Sequence, residues 1–154
     1  MKSMRLQSEV ETYALIFDKG DEVIELLTAF AREKRLRGAE FQAIGAFSEA
    51  VLGYFDRNAK EYRKIPVPSQ VEVVSLLGDI ALKGDEPVVH AHAVLGQPDG
   101  SARAGHLLQG RVWPTLELIL TKASRHLQKR YDPETGLALI DLPGAGSSGD
   151  RRAA

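Results

Sequence analysis

The sequence predicts an α+β domain with a mostly antiparallel sheet. Two observations lead there: one stretch with helical spacing near the start, and a succession of short strand-like runs after it. A chain of 154 residues suits one such domain with a substantial core. Val10 to Phe17 is β-branched and aromatic and reads as a strand, broken by Asp18-Lys19-Gly20. From Asp21 the period changes. Val23, Ile24, Leu26, Leu27, Phe30 and Ala31 form an apolar stripe, so a helix is predicted over residues 21–36. Asp21 is the expected N-cap and Gly38 the expected stop. Glu22 and Glu25 near the start, and Arg32, Lys34, Arg35 and Arg37 near the end, complement the helix dipole.

Strand character dominates after Gly38. Phe41 to Phe47 and Glu49 to Asp56 are predicted as two strands, and Glu61 to Val67 as a third that ends among Pro66 and Pro68. Val71 to Lys83 is a long apolar run in which Gly78 suggests a bulge or bend. Pro87 to Leu95 and Arg103 to Leu108 flank Gly96-Gln97-Pro98-Asp99-Gly100, whose Pro-Asp-Gly favours a turn, so a hairpin is expected. Thr115 to Thr121 and Leu137 to Leu142 complete the strands. So many strands leave edges, which pairing with neighbouring subunits would cover. The expected layout is a flexible N-terminus over residues 1–8, the domain over 9–142, and a disordered tail over 143–154, where nothing is available to bury.

Composition narrows the function. Twenty basic residues against 21 acidic ones leave a net charge of -1, which sets up no general field toward nucleic acid or an anionic membrane. The chain has no cysteine, which excludes disulfides, thiolate zinc sites and cysteine nucleophiles. Met1 to Glu11 lacks the apolar core of a signal peptide, and no run approaches the ~18 apolar residues of a membrane span. A cytoplasmic location is the expectation.

Three of the four histidines fall in the predicted hairpin. Alternate side chains of a strand share a face, which puts His90 and His92 together and Ala91 and Ala93 on the other side. The returning strand brings Gly105 or His106 across from them. With His106 on the same face, three imidazoles converge on a site for zinc or another divalent transition metal. The alternative is two interface histidines and a turn histidine, hydrogen-bonded and free of metal.

Several segments in order resemble a known family. Gly45 to Asp56 (GAFSEAVLGYFD), Glu72 to Gly78 (EVVSLLG), His90-Ala91-His92 and Gly105-His106-Leu107 resemble the PPC (or PCC) domain of plants and prokaryotes, across roughly Glu11 to Leu142. The resemblance implies an antiparallel-sheet fold, a homotrimer, and a metal-binding set at His90, His92 and His106. In plant members the domain accompanies AT-hooks in nuclear DNA-binding proteins and mediates protein association. An AT-hook needs Arg-Gly-Arg-Pro for the minor groove. Arg35-Leu36-Arg37-Gly38 and Gly110-Arg111-Val112-Trp113-Pro114 do not qualify, so DNA binding does not carry over.

Three functional classes follow: a metal- or small-ligand-binding regulatory module, a DNA-binding protein, and a metal-dependent hydrolase or lyase. The last needs a base, for which Glu117, Asp79 and Glu49 are candidates, each equally a polar position on an alternating strand. A cupin reading of Gly84 with His90-x-His92 fails, because Gly96 and Gln97 stand where its glutamate belongs and Arg103 where its later histidine belongs. No phosphate-cradling glycine loop or serine–histidine–acid order is present. Lys122 to Arg130, containing His126, reads as a solvated basic connection, and Trp113 as a packing residue.

Overall fold

A computed structural model describes residues 1–5 and 11–142, with the backbone alone described for residues 2–5. The expected tail, residues 6–8 of the expected N-terminal segment and residues 9–10 of the expected domain, where the predicted first strand begins, lie outside the described residues. The elements run β1 (Lys2–Arg5), β2 (Thr12–Phe17), α1 (Val23–Glu33), β3 (Gly38–Asp56), β4 (Glu61–Val67), β5 (Val71–Lys83), β6 (Glu86–Gly96), β7 (Ala102–Lys122), β8 (Gln128–Asp132) and β9 (Leu137–Asp141). Among the described residues the strands all belong to one sheet, antiparallel except for a single parallel bridge between Leu82 of β5 and Gln128 of β8. The single-helix, sheet-dominated class that the sequence predicts is the class observed. β1, which the sequence pattern does not announce, pairs with β2.

The sheet closes on itself. β3 pairs with β5, β5 with β6, β6 with β7, and β7 again with β3. Closure satisfies backbone groups that an open sheet would leave at its edges. Inside lie Leu15, Phe17, Phe47, Leu52, Leu76, Ile80, Leu95, Leu107, Leu116 and Leu118, all at most 2% exposed. Val23, Leu27, Phe30 and Ala31 of α1 pack onto this core, as their spacing predicts. The edge-on contact of Tyr13 with Phe30 fixes the helix over β2. No helix among the described residues is long and apolar enough to cross a membrane.

Two helix-end expectations need correction. The N-cap is Glu22, not Asp21: Glu22 Oε2 accepts from Glu25 N at 2.7 Å, and its Oε1 accepts from Gly110 N at 2.8 Å. Asp21 instead closes the preceding turn, accepting from Asp18 N at 3.0 Å. The helix stops before Gly38, with Lys34 as the C-cap and Arg35 at φ 50° reversing the chain.

The strand boundaries also shift. The two strands expected over residues 41–56 are one, β3, which absorbs its Gly and Ser positions as register shifts at Ala43/Gly45, Gly45/Phe47 and Phe47/Glu49. The returning arm of the histidine hairpin likewise continues through Pro114 to Lys122 as β7, with a cis Trp113–Pro114 peptide. Gly78 is not a bulge. It keeps register with Phe41 on one side and Ala91 on the other, and the shift in β5 falls at Val73/Ser75. What Gly78 provides is closeness: a Cβ there would collide with the Phe41 ring and the His90 carbonyl.

Gly78→Ala should therefore destabilise the fold by about 1–3 kcal/mol, the usual cost of forcing extra volume into packed surroundings. Urea denaturation measures this, and a loss below about 0.5 kcal/mol, the range of neutral surface changes, would show that Phe41 yields freely.

Candidate metal centre

The site forms where the closed cycle of strands meets. Ala91 and Ala93 are buried at 2% exposure, so β6 turns its odd residues to the core and His90 and His92 to the outer face. The turn is closed by Gln97 N donating to Ser101 O at 2.8 Å and by Asp99, which accepts from the Ser101 backbone and hydroxyl. This turn sets the register of β6 and β7, in which His106 stands directly opposite His92. Leu107 next to it points inward at 2% exposure. His106 is thus placed on the outer face with the other two.

The three imidazoles converge. Ring centroids lie 5.2 Å apart for His90–His92 and His90–His106, and 5.4 Å for His92–His106. One nitrogen from each ring lies within 4.8 Å of the others, a grouping of three imidazoles that could hold a metal ion. His106 Nδ1 is buried without a hydrogen-bond partner among the described residues. Burial and the neighbouring His90 and His92 push the His106 pKa down to about 4. His92 is also lowered, by burial and then by His90. Both rings are therefore neutral near pH 7, as ligation requires. The donor set fits a divalent transition metal.

Asp79, one of three carboxylates the sequence offers as a candidate base, stands opposite His90 in the β5–β6 pairing. Its Oδ2 lies 2.9 Å from His90 Nδ1. Burial pushes the Asp79 carboxyl up, but the hydrogen bond with His90 and the charge of Lys129 outweigh it and hold the carboxyl below its ordinary range. An ionised carboxylate only accepts, so the proton sits on Nδ1 and the His90 Nε2 lone pair is free for a metal. Lys129 Nζ, whose side chain is 7% exposed, lies 3.4 Å from Asp79 Oδ1 as an ion-pair partner. The Tyr62 ring leans on His106 with centroids 4.7 Å apart. Lys129 and Tyr62 carry no sequence signal, since each is delivered by a strand distant along the chain. Asp79 carries a weak one, as a carboxylate inside an apolar strand.

The other candidates lie elsewhere. Glu117 pairs across to Ile44 and Ile16, eleven residues along β7 from His106, a path of ~35 Å along the strand. Glu49 faces Arg111 at 3.4 Å. Trp113 carries Lys19 Nζ 3.6 Å above its ring centroid. His126 lies beside Arg37 and Arg125 in a separate hollow. Neither glutamate joins the histidines.

The profile of the Plants and Prokaryotes Conserved (PCC) domain matches residues 4–124. The chain belongs to this family. No curated protein matches the PCC chain in sequence. Among solved structures, it is similar to a plant- and prokaryote-conserved protein of Pyrococcus horikoshii, at 30% identity over 92% of this chain and 95% of that one, with a TM-score of 0.80. A metal-containing protein of Archaeoglobus fulgidus is also 30% identical, over 92% and 97% of the two chains, with a TM-score of 0.79. A candidate DNA-binding protein of Ralstonia eutropha is 29% identical over 92% and 96%, with a TM-score of 0.84. Lys129 lies beyond residue 124, where the family match ends.

The lowered histidine pKa values set a pH dependence for metal-free protein. Between pH 6.5 and about 4 the unfolded chain takes up a proton at position 106 that the folded chain does not. Stability from this group is complete above pH 6.5 and is lost as pH falls toward 4. Denaturation midpoints across that window should fall with pH in chelator-treated protein, and His106→Gln should flatten the slope. An unchanged slope in the variant would assign the dependence to other groups.

Proposed function

We propose that this PCC-domain protein is a homotrimeric, cytoplasmic regulatory module that binds zinc or another divalent transition metal, and through it a small ligand. The observation that carries this reading is the convergence of His90, His92 and His106, with His90 oriented by Asp79. Three imidazoles suit zinc and leave a coordination position for a further ligand. A metal held there supplies Lewis-acid chemistry or an anchor for an anionic group. The metal-containing relative from Archaeoglobus fulgidus supports the same reading. A hydrolase or lyase is supported less, because Glu117 and Glu49 lie away from the site and Asp79 is engaged by His90 and Lys129. DNA binding is a second reading, favoured by the description of the Ralstonia eutropha relative, and it would show as a salt-sensitive gel shift.

Elemental analysis of protein purified without chelator or affinity metal tests the site. The expected result is about one transition metal per chain, absent from His92→Ala. Asp79→Ala should keep the three ligands yet bind about 10–100-fold more weakly, the usual cost of removing a carboxylate that orients a ligating histidine. Metal-free wild type would overturn the proposal.

Self-association is supported by an apolar outer face. Ile44, Val74, Leu77 and Ile119 are 61%, 60%, 56% and 39% exposed, and Leu77 lies directly opposite His92. A contiguous apolar face of this kind is usually covered by a partner. The histidine site sits at its margin, next to the subunit boundary this assembly would create. Sedimentation should give a mass three times the 16.9 kDa of the chain, and Leu77→Glu should reduce it to the single chain. A monomeric wild type would remove this part of the proposal.

A further inference from the structure

Two basic runs that each look unremarkable in the sequence meet in space. Arg35 and Arg37 follow the end of α1, Lys122 ends β7, and Arg125 and His126 belong to the connection between β7 and β8. Together with Ser124 they line an open hollow of about 840 Å³. The connection is pinned rather than loose: Ala123 N donates to Gly38 O at 2.9 Å, Leu127 N to Arg37 O at 2.8 Å, and Leu82 N to Leu127 O at 2.8 Å. Gly38 permits this approach, since a Cβ there would stand 2.8 Å from the Arg125 carbonyl.

The arginine charge in the hollow is unanswered among the described residues. No acidic side chain lines it among the described residues. Lys122 pairs with Glu11 at 3.0 Å, whereas the side chains of Arg35, Arg37 and Arg125 have no ion pair or hydrogen bond among the described residues. The dipole of α1 explains cations at its own last turn, but not Arg125 brought to the same place from another segment.

We infer that this hollow binds a phosphorylated small molecule of about nucleotide size. Its volume falls within the ~300–1,000 Å³ usual for small-ligand pockets. Arginine forks match phosphate oxygens bidentately, Ser124 can donate as well, and Leu127 and Leu142 offer apolar walls to the body of the ligand. The net charge of -1 disfavours an extended polyanion such as nucleic acid, whose binding needs many cationic contacts along its length. The site shares no residue with the histidine cluster and does not depend on it.

Calorimetric titration of the full-length protein with sodium pyrophosphate and with ATP, free of added magnesium, tests the site. Saturable binding of one equivalent is expected at about 0.1 M salt, where weak surface attraction is largely screened. Arg37→Gln with Arg125→Gln should weaken it by at least about tenfold, since charge-assisted hydrogen bonds contribute more than 1.4 kcal/mol each. Arg125→Gln alone, in an exposed connection, gives the same direction should the double variant fold poorly. His92→Ala should bind as wild type does. The inference is overturned by absence of saturable binding or by binding unchanged in the arginine variants. Binding lost only in His92→Ala would also overturn it and move the anion to the histidine cluster. Arginine-dependent binding of an oligonucleotide without pyrophosphate or ATP binding would make the surface a nucleic-acid contact instead.

Discussion

The antiparallel register between β6 and β7 is the constraint on which both the core and the candidate metal centre depend. With a side-chain period of two, a slip of one residue would turn His106 toward the core and Leu107 toward water. The turn at Gln97–Ser101 and the apolar inner face therefore select the pairing that aligns His92 with His106. No separate device is needed to assemble the histidines. Core burial, the dominant favourable term in folding, also positions the site.

Closure of the sheet adds what the hairpin alone lacks. β5 lies beside β6, so Asp79 reaches His90; β3 lies beside β7 and carries β4, so Tyr62 reaches His106. Each contact follows from pairing between neighbours in the cycle. The histidine pair on β6 is open to water on its outer side, yet its surroundings are fixed from three directions by strands. A ligand set held this way is preorganised, so little ordering cost attends metal binding.

The sequence made some of this legible and withheld the rest for physical reasons. The helix stripe at Val23, Leu27, Phe30 and Ala31, the strand Glu61–Val67 and the shared face of His90 and His92 follow from periodicity, and periodicity survives folding. Ser48 and Pro114 looked like breaks but lie within β3 and β7, because a long strand in a strongly coiled sheet takes up such residues as register shifts. β8, with the sequence Gln-Lys-Arg-Tyr-Asp, has no apolar alternation and is stabilised by its pairing with β9. Asp79 was visible only as one carboxylate among three. Nothing local separates it from Glu117, since proximity to His90 is decided by the β5–β6 register and by no property of residue 79 itself.

The Asp79–Lys129 pair bears on how the site is organised. Lys129 is almost wholly buried and Asp79 about a quarter exposed. Taking such charges from water is costly, and replacing a buried pair with apolar residues is often neutral or stabilising by ~1–4 kcal/mol. Stability alone is therefore a poor account of why a lysine is threaded into this position from β8. Its effect on Asp79 is more specific. By favouring the carboxylate form, Lys129 keeps Asp79 an acceptor, and that keeps the proton on His90 Nδ1 and the lone pair on Nε2. The C-terminal hairpin thus acts on the histidine cluster through a relay of two contacts, 3.4 Å and 2.9 Å long, and does so from beyond the segment that defines the family.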